Sequence, residues 1–305
     1  MRGATPSLAG IMAAVAMMSE ARAEVPAPPP PTAAEAPETL KLSQDPSTRM
    51  TLAVMVNGKG PFEFLVDTGS NRTVISRELA ASLNLPPGAK VRIREMASTD
   101  DEGTVLIDSL AIGKRVVRRI EAPVLAARNI GAAGMLGVDA LRNLHVVMDF
   151  KAMRMSSSPS RAESLDPRTI VVHGKNRLGE LILTHSQVRG VPILVVVDSG
   201  SEMSIGNPAL LRLLTKHSLN SNPPAATQIL DVTGRLVTIE QDQIAEADVG
   251  GLVIHNMPLG FAALPIFNYL GLTDIPAIFL GMDVLSQCER ISVDLRRREA
   301  TFTLR

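Results

Sequence analysis

The chain has 305 residues, 45% of them apolar, which is ample for a buried core and, as a prior from length, suits about two domains. Lysine plus arginine equals aspartate plus glutamate at 31 each, so no global basic field draws in nucleic acid. With no tryptophan and one tyrosine, Tyr269, a base-stacking surface has little to be built from.

In chain order, the N-terminus reads as an export signal over residues 1–23. Arg2 supplies a positive start, Leu8 to Met18 a short apolar stretch, and Ala21-Arg22-Ala23 an A-x-A cleavage site. That stretch is shorter than the roughly 20 residues a membrane-spanning helix needs. The expectation is an exported protein, periplasmic or secreted, with no stable membrane span after signal removal. Residues 24–48, with Pro28-Pro29-Pro30-Pro31, read as a Pro/Ala-rich linker, and whether they act as a pro-segment is open. The polar stretch 156–168 suggests a boundary, with 161–168 as linker between segments 49–160 and 169–305.

In the first segment, Asn57-Gly58 signals a hairpin ahead of the apolar run Pro61 to Val66, which ends in Asp67-Thr68-Gly69-Ser70. Ser76 is a candidate helix N-cap, with Leu79 and Leu83 on one face. A glycine in a polar hairpin, Gly103, follows, then the strand-like Val116-Val117. Met135-Leu136-Gly137-Val138-Asp139-Ala140-Leu141 and the run His145 to Asp149 close the segment.

The second segment repeats this order. Arg189-Gly190 precedes Pro192 to Val197, and that run ends in Asp198-Ser199-Gly200-Ser201, 131 residues after the first copy (198 − 67). Asn207, before Pro208, stands nine residues after Asp198 as Ser76 does after Asp67. Leu210, Leu213 and Leu214 give that helix its apolar face. Gly103 and Gly234 each lie 36 residues past their aspartate. Leu252-Val253-Ile254, Phe279-Leu280-Gly281-Met282-Asp283-Val284-Leu285 and Arg290 to Asp294 complete the parallel. The period exceeds that of a solenoid repeat, so two equivalent lobes are expected.

An aspartate that ends a β-branched run and enters a turn at glycine is held rigidly. Two of them facing each other across a two-fold axis could share one proton and activate one water. The pattern of strand, Asp-Thr/Ser-Gly-Ser, hairpin glycine and apolar-apolar-Gly-x-Asp-x-Leu resembles the retropepsin-like aspartic proteases, over residues from about 49 to 305. Two copies in one chain look like the bilobal arrangement of pepsins with lobes of retroviral character, and an exported bacterial protease is the nearest description.

The resemblance implies a mainly β, bilobal acid-protease fold: two homologous β-barrel-like lobes, each with a short helix, and an active site between them. It implies Asp67 and Asp198 as the catalytic pair, with Thr68 and Ser199 locking the loops by hydroxyl hydrogen bonds. Gly69 and Gly200 would leave room for the turn, and Ser70 and Ser201 would bond the outer carboxylate oxygens. Gly137 and Gly281 would belong to the element supporting each loop. Gly103 and Gly234 are flap candidates, since no tyrosine occurs between Met96 and Gly103; they are equally ordinary turn glycines. The implied activity is endopeptidase cleavage of proteins or peptides by a monomeric pseudo-dimer, without nucleic acid or cofactor. Hydrogen bonds to the charged carboxylate predict activity weighted toward acidic pH. A catalytically silent peptide-binding module on the same fold is the other reading.

Other features read more plainly. Asp139 and Asp283 suit helix N-caps, and Asp149 and Asp294 the ends of surface strands. His145, His173, His185, His217 and His255 are scattered without zinc spacing, so no metal site is expected. Cys288 has no partner for an internal disulfide and reads as a buried small hydrophobe. No G-x-S-x-G elbow or P-loop occurs. The second segment is longer before its Gly281 element, and Leu264 to Leu270 there could pack in the core, line a cleft or dock a partner.

Overall fold

A computed structural model of the protein describes residues 37–94, 99–141, 144–160, 166–178, 180–216, 225–230 and 234–305. From Ala36 to Arg305 the chain forms one compact unit. The fold is mainly β. In the N-terminal half the strands are β1 (Glu38–Gln44), β2 (Met50–Val56), β3 (Lys59–Val66), β4 (Val74–Ser76), β5 (Pro87–Arg94), β6 (Thr99–Ile112), β7 (Arg115–Leu125), β8 (Gly134–Leu136), β9 (Leu144–Asp149) and β10 (Arg154–Pro159). Its helices are α1 (Arg77–Ser82), α2 (Ala127–Ile130) and α3 (Val138–Leu141).

The C-terminal half has β11 (Thr169–Arg177), β12 (Glu180–Val188), β13 (Val191–Val197), β14 (Ile205–Gly206), β15 (Ala225–Leu230), β16 (Leu236–Val249), β17 (Leu252–Phe261), β18 (Ala277–Leu280), β19 (Arg290–Asp294) and β20 (Glu299–Thr303). Its helices are α4 (Pro208–Lys216), α5 (Pro265–Tyr269) and α6 (Met282–Leu285). Among the described residues no helix is long and apolar enough to cross a membrane.

The two hairpin signals have a plain backbone cause. Asn57 and Gly58, and likewise Arg189 and Gly190, all take positive φ, the conformation a two-residue turn with the right twist demands. They join β2 to β3 and β12 to β13 in antiparallel pairs. The apolar runs β3 and β13 are buried at their last three residues, which explains why their sequences barely alternate. Each run also pairs in parallel with a short strand, β3 with β8 and β13 with β18. The helix starts follow the capping chemistry: the Leu79 N–H donates to Ser76 Oγ at 3.1 Å and the Leu210 N–H to Asn207 Oδ1 at 3.0 Å.

A six-stranded antiparallel sheet in the order β1-β10-β9-β19-β20-β11 joins the halves. Its centre is the β9–β19 pairing, with Val147 opposite Ser292. The first and last strands divide between two partners. β1 gives Glu38–Lys41 to β10 and Leu42–Gln44 to β2, while β11 gives Thr169–His173 to β20 and Gly174–Arg177 to β12.

Strand β1 corrects the reading of 24–48 as linker: its last part is built into two sheets and buries Leu42. Two leucines spaced by one residue, Leu40 and Leu42, were too little pattern to outweigh the proline-rich stretch before them. Residues 161–165 of the expected linker, and residues 1–23 of the expected export signal, lie outside the described residues.

The core runs through both halves, with Phe64, Phe279 and Phe302 fully buried. Leu264 to Leu270 resolves to core packing. Leu264, Ile266, Phe267 and Leu270 are buried, and Phe267 meets Phe279 edge-on at 5.2 Å between ring centroids.

Candidate active site

Asp67 and Asp198 each follow immediately on a buried strand end. Each backbone N–H is held by the neighbouring parallel strand: Asp67 N–H donates to the Leu136 carbonyl and Asp198 N–H to the Leu280 carbonyl, both at 3.0 Å. The loop beyond each aspartate bonds back to the following short helix, Val138 N–H to the Ser70 carbonyl at 2.8 Å and Met282 N–H to the Ser201 carbonyl at 2.9 Å. Two loops so pinned have little freedom.

The aspartates, 131 positions apart in sequence, face each other. A Cβ added to Gly69 would lie 2.6 Å from Cγ of Asp198, and one added to Gly200 would strike the Asp67 carboxyl. Glycine is therefore required in both loops by close approach of the opposite carboxyl rather than by positive φ. Asp67 Oδ1 accepts the Gly69 N–H at 2.8 Å and Asp198 Oδ1 the Gly200 N–H at 3.1 Å. The two carboxyls lie close enough that each shifts the other's proton affinity. They are 7% and 6% exposed, dry enough that charge on either is costly.

Burial raises Asp67 to about 6, against opposing contributions from the Gly69 amide, Asp198, the Arg49 guanidinium and the Ser70 amide. Burial and then the charge of Asp67 raise Asp198 well above the usual carboxylate range. At both aspartates desolvation is the largest contribution and acts upward, outweighing the hydrogen bonds to the charged form.

Thr68 and Ser199 lie between the two loops. The Thr68 hydroxyl donates to the Val197 carbonyl at 2.9 Å and accepts the Ser199 N–H at 3.2 Å. In return, the Ser199 hydroxyl donates to the Val66 carbonyl at 2.8 Å and accepts the Thr68 N–H at 3.1 Å. The serine lacks the threonine methyl yet makes the same pair of bonds.

Ser70 and Ser201 differ from expectation. Their hydroxyls donate to the carbonyls of Arg72 at 3.0 Å and Met203 at 2.8 Å. A hydroxyl has one proton, so neither donates to a carboxylate oxygen. The Ser201 N–H donates to the Asp198 backbone carbonyl at 3.4 Å.

Gly137 and Gly281 sit where the support element passes under the loop. A side chain on Gly281 would come within 2.6 Å of the Met203 backbone, and one on Gly137 would strike the Arg72 backbone. Asp139 and Asp283 are corrected from helix caps to braces inside α3 and α6. Asp139 accepts the Thr73 N–H at 2.8 Å and hydroxyl at 2.6 Å; Asp283 accepts the Ser204 N–H at 3.0 Å and hydroxyl at 2.7 Å. The same hydroxyls accept the Gly137 N–H at 3.2 Å and the Gly281 N–H at 3.0 Å. The sequence signal was the hydroxyl residue six after each aspartate, Thr73 and Ser204, which the sequence reading passed over.

The flap candidates part company. Gly103 lies inside β6 opposite Lys90, not in a turn, and the turn itself falls outside the described residues. Strand pairing simply continues through a glycine that periodicity alone cannot place. Gly234 does lie in the β15–β16 connection at positive φ, and a Cβ there would come 2.7 Å from Asn129 Nδ2 of the N-terminal half. Likewise α5 of the C-terminal half lies against β5 of the other.

Asp294 is not a surface strand end. It is 2% exposed and caps its own turn, accepting the Arg296 and Arg297 N–H groups, and it also accepts the Ser160 hydroxyl at 2.9 Å. The central sheet covers it, which a strand-terminal position in sequence does not reveal. Asp149 is half-buried and accepts the Ala152 N–H at 2.6 Å. Cys288 is buried, and burial pushes its thiol up to about 11, leaving it unreactive at neutral pH. Among the described residues no group of three or more His, Cys, Asp or Glu stands placed to hold a metal ion.

Residues 52–143 match the family model of the gag-polyprotein putative aspartyl protease. The matched span contains the Asp67 loop, Gly137 and Asp139, and ends before the second repeat. No curated protein matches the chain. The match supports a retropepsin-like aspartic protease family, to which the mainly β fold with its β-barrel conforms. It supports with it a general aspartic protease function and peptides as the substrate class.

Proposed function

We propose that the protein is an aspartic endopeptidase whose catalytic pair is Asp67 and Asp198, one from each of two duplicated lobes of a single-chain pseudo-dimer. The observation that carries this reading is the facing of two buried carboxyls, each against the opposite loop, between loops tied by Thr68 and Ser199. Two carboxyls in such contact hold one proton between them, because like charges so close in a dry site cannot easily both form.

In the reaction, the ionised member draws a proton from a water positioned between the carboxyls. The protonated member polarises the scissile carbonyl by donating to its oxygen, and the water oxygen adds to the carbonyl carbon. The proton gained by the dyad then passes to the amide nitrogen as the C–N bond breaks, releasing acid and amine without a covalent enzyme intermediate. Gly69 and Gly200 N–H groups hold the carboxylate oxygens in place throughout.

The export signal over residues 1–23 supports a periplasmic or secreted location. The activity is tested by digesting a mixed peptide library with wild type, Asp67→Asn and Asp198→Asn across pH 3 to 8. Cleavage by wild type alone is expected. Cleavage that survives in both variants sinks the dyad, and peptide binding without cleavage by wild type favours the silent module.

A further inference from the structure

Glu180 opens β12 across from Asp198. The β12–β13 register pairs Ile182 with Val196; carried two residues on, past the end of β13, it brings Glu180 alongside Asp198, whose charge reaches it. Arg49 holds the matching place in the other half: the β2–β3 register pairs Thr51 with Leu65, and carried two residues on it brings Arg49 alongside Asp67, which feels its charge. Cross-strand neighbours share a face, so each aspartate has one ionisable residue beside it.

The two positions are not equivalent. The Arg49 guanidinium is engaged by Asp45 at 2.7 Å and by the Ile130 carbonyl at 2.8 Å, with Glu202 of the other half at 4.0 Å. Glu180 is 0% exposed, and neither of its carboxyl oxygens has a hydrogen-bond partner among the described residues. Burial, then the charges of Asp67 and Asp198, push its carboxyl up to about 9, so it stands neutral at pH 7.

A buried carboxyl without a partner costs stability and gives the fold nothing in return. Beside a reaction centre, the missing partner is a group the substrate brings. The surroundings select its charge. The dyad is anionic once one member ionises, and the guanidinium of Arg49 is already occupied, so an anionic side chain is repelled and a cation attracted. A cation beside Glu180 also favours its ionised form, and the proton leaves to solvent as the ion pair forms.

Resting on the peptidase reading above, we propose that Glu180 determines specificity by taking a lysine or arginine side chain of the peptide, on the side of the dyad walled by the C-terminal half.

The test uses one peptide carrying lysine, arginine, norleucine or glutamate in turn at each position flanking the cut, with wild type and Glu180→Gln. At one position wild type prefers lysine or arginine over norleucine by roughly 30-fold in kcat/KM, and in Glu180→Gln that ratio falls to near one. Equal cleavage of the lysine and norleucine peptides by wild type, or a ratio preserved in Glu180→Gln, overturns the proposal and leaves the peptidase reading standing.

Melting of Glu180→Leu gives an independent readout. A midpoint above wild type is expected, because an unpartnered acid gives way to an apolar group; a lower midpoint shows a structural role and overturns the proposal. If wild type cleaves nothing, binding of a non-hydrolysable lysine peptide in preference to its norleucine analogue supports Glu180 while sinking the peptidase reading. Absence of both cleavage and binding overturns both.

Discussion

Thr68 and Ser199 exchange equivalent bonds: each hydroxyl donates to the carbonyl of the residue before the other's aspartate, and each accepts the other's backbone N–H. The spacing of the two carboxyls is therefore set by a lock of four hydrogen bonds directly beneath them, not by distant packing of the two halves.

Thr68→Val and Ser199→Ala should each leave a buried carbonyl, of Val197 or Val66, without its donor. The expected loss is about 1–3 kcal/mol in denaturant unfolding, with a fall in kcat as the loops separate. The double variant should lose less than the sum of the singles, because one lock is being removed. Strict additivity would count against a coupled unit.

The pH dependence follows from burial. With Asp67 raised to about 6, kcat/KM should climb through pH 6 as its carboxylate forms, rather than at the much lower pH of an ordinary carboxyl. A profile that is already at its maximum below pH 4 would contradict this assignment.

Stability should move the opposite way. The native Asp67 carboxyl binds its proton more tightly than the unfolded one, so stability is fully present below about pH 3.8 and is lost as pH rises through about 6. Asp67→Asn and Asp198→Asn, which cannot ionise, should melt higher than wild type at pH 8 and show no such gain at pH 4. The difference should be on the order of 1–3 kcal/mol. Equal melting shifts at both pH values would refute the desolvation account.

Gly137→Ala and Gly281→Ala place a methyl against backbone of Arg72 and Met203, which cannot swing aside as a long side chain can. Each should cost at least 1–3 kcal/mol by thermal or denaturant unfolding, roughly the cost of overpacking a core. Alanine at Gly103, where a Cβ meets nothing within 4 Å, should cost well under that. A Gly103→Ala loss as large as that of Gly281→Ala would mean the close approach is not what matters.

A chain starting at residue 46 lacks β1, whereas one starting at 37 keeps it. The shorter chain should be less stable by roughly 2 kcal/mol or more, since Leu42 and the pairings to β10 and β2 are lost. Equal unfolding midpoints would show that β1 is dispensable.

The sequence by itself determined the parts of this protein that depend on local chemistry. Asn57-Gly58 signalled a tight turn, Ser76 and Asn207 carried capping side chains, and the apolar runs before Asp67 and Asp198 read as strands, which are buried at their last three residues. Matched spacing of 131 and 9 residues then made the aspartates comparable positions of a repeat, so the candidate pair was legible without coordinates, whereas the 36-residue match joined two glycines that the structure places differently.

Only the tertiary structure decided what those groups touch. Whether Ser70 bonds a carboxylate or the Arg72 carbonyl depends on where a loop folds back. Whether Asp139 caps a helix or braces Thr73 depends on what packs across it. Glu180 in sequence is one charged residue after a turn. It becomes a buried acid beside Asp198 because strand register sets it there and the packed halves remove water, and both are properties of the assembled sheets.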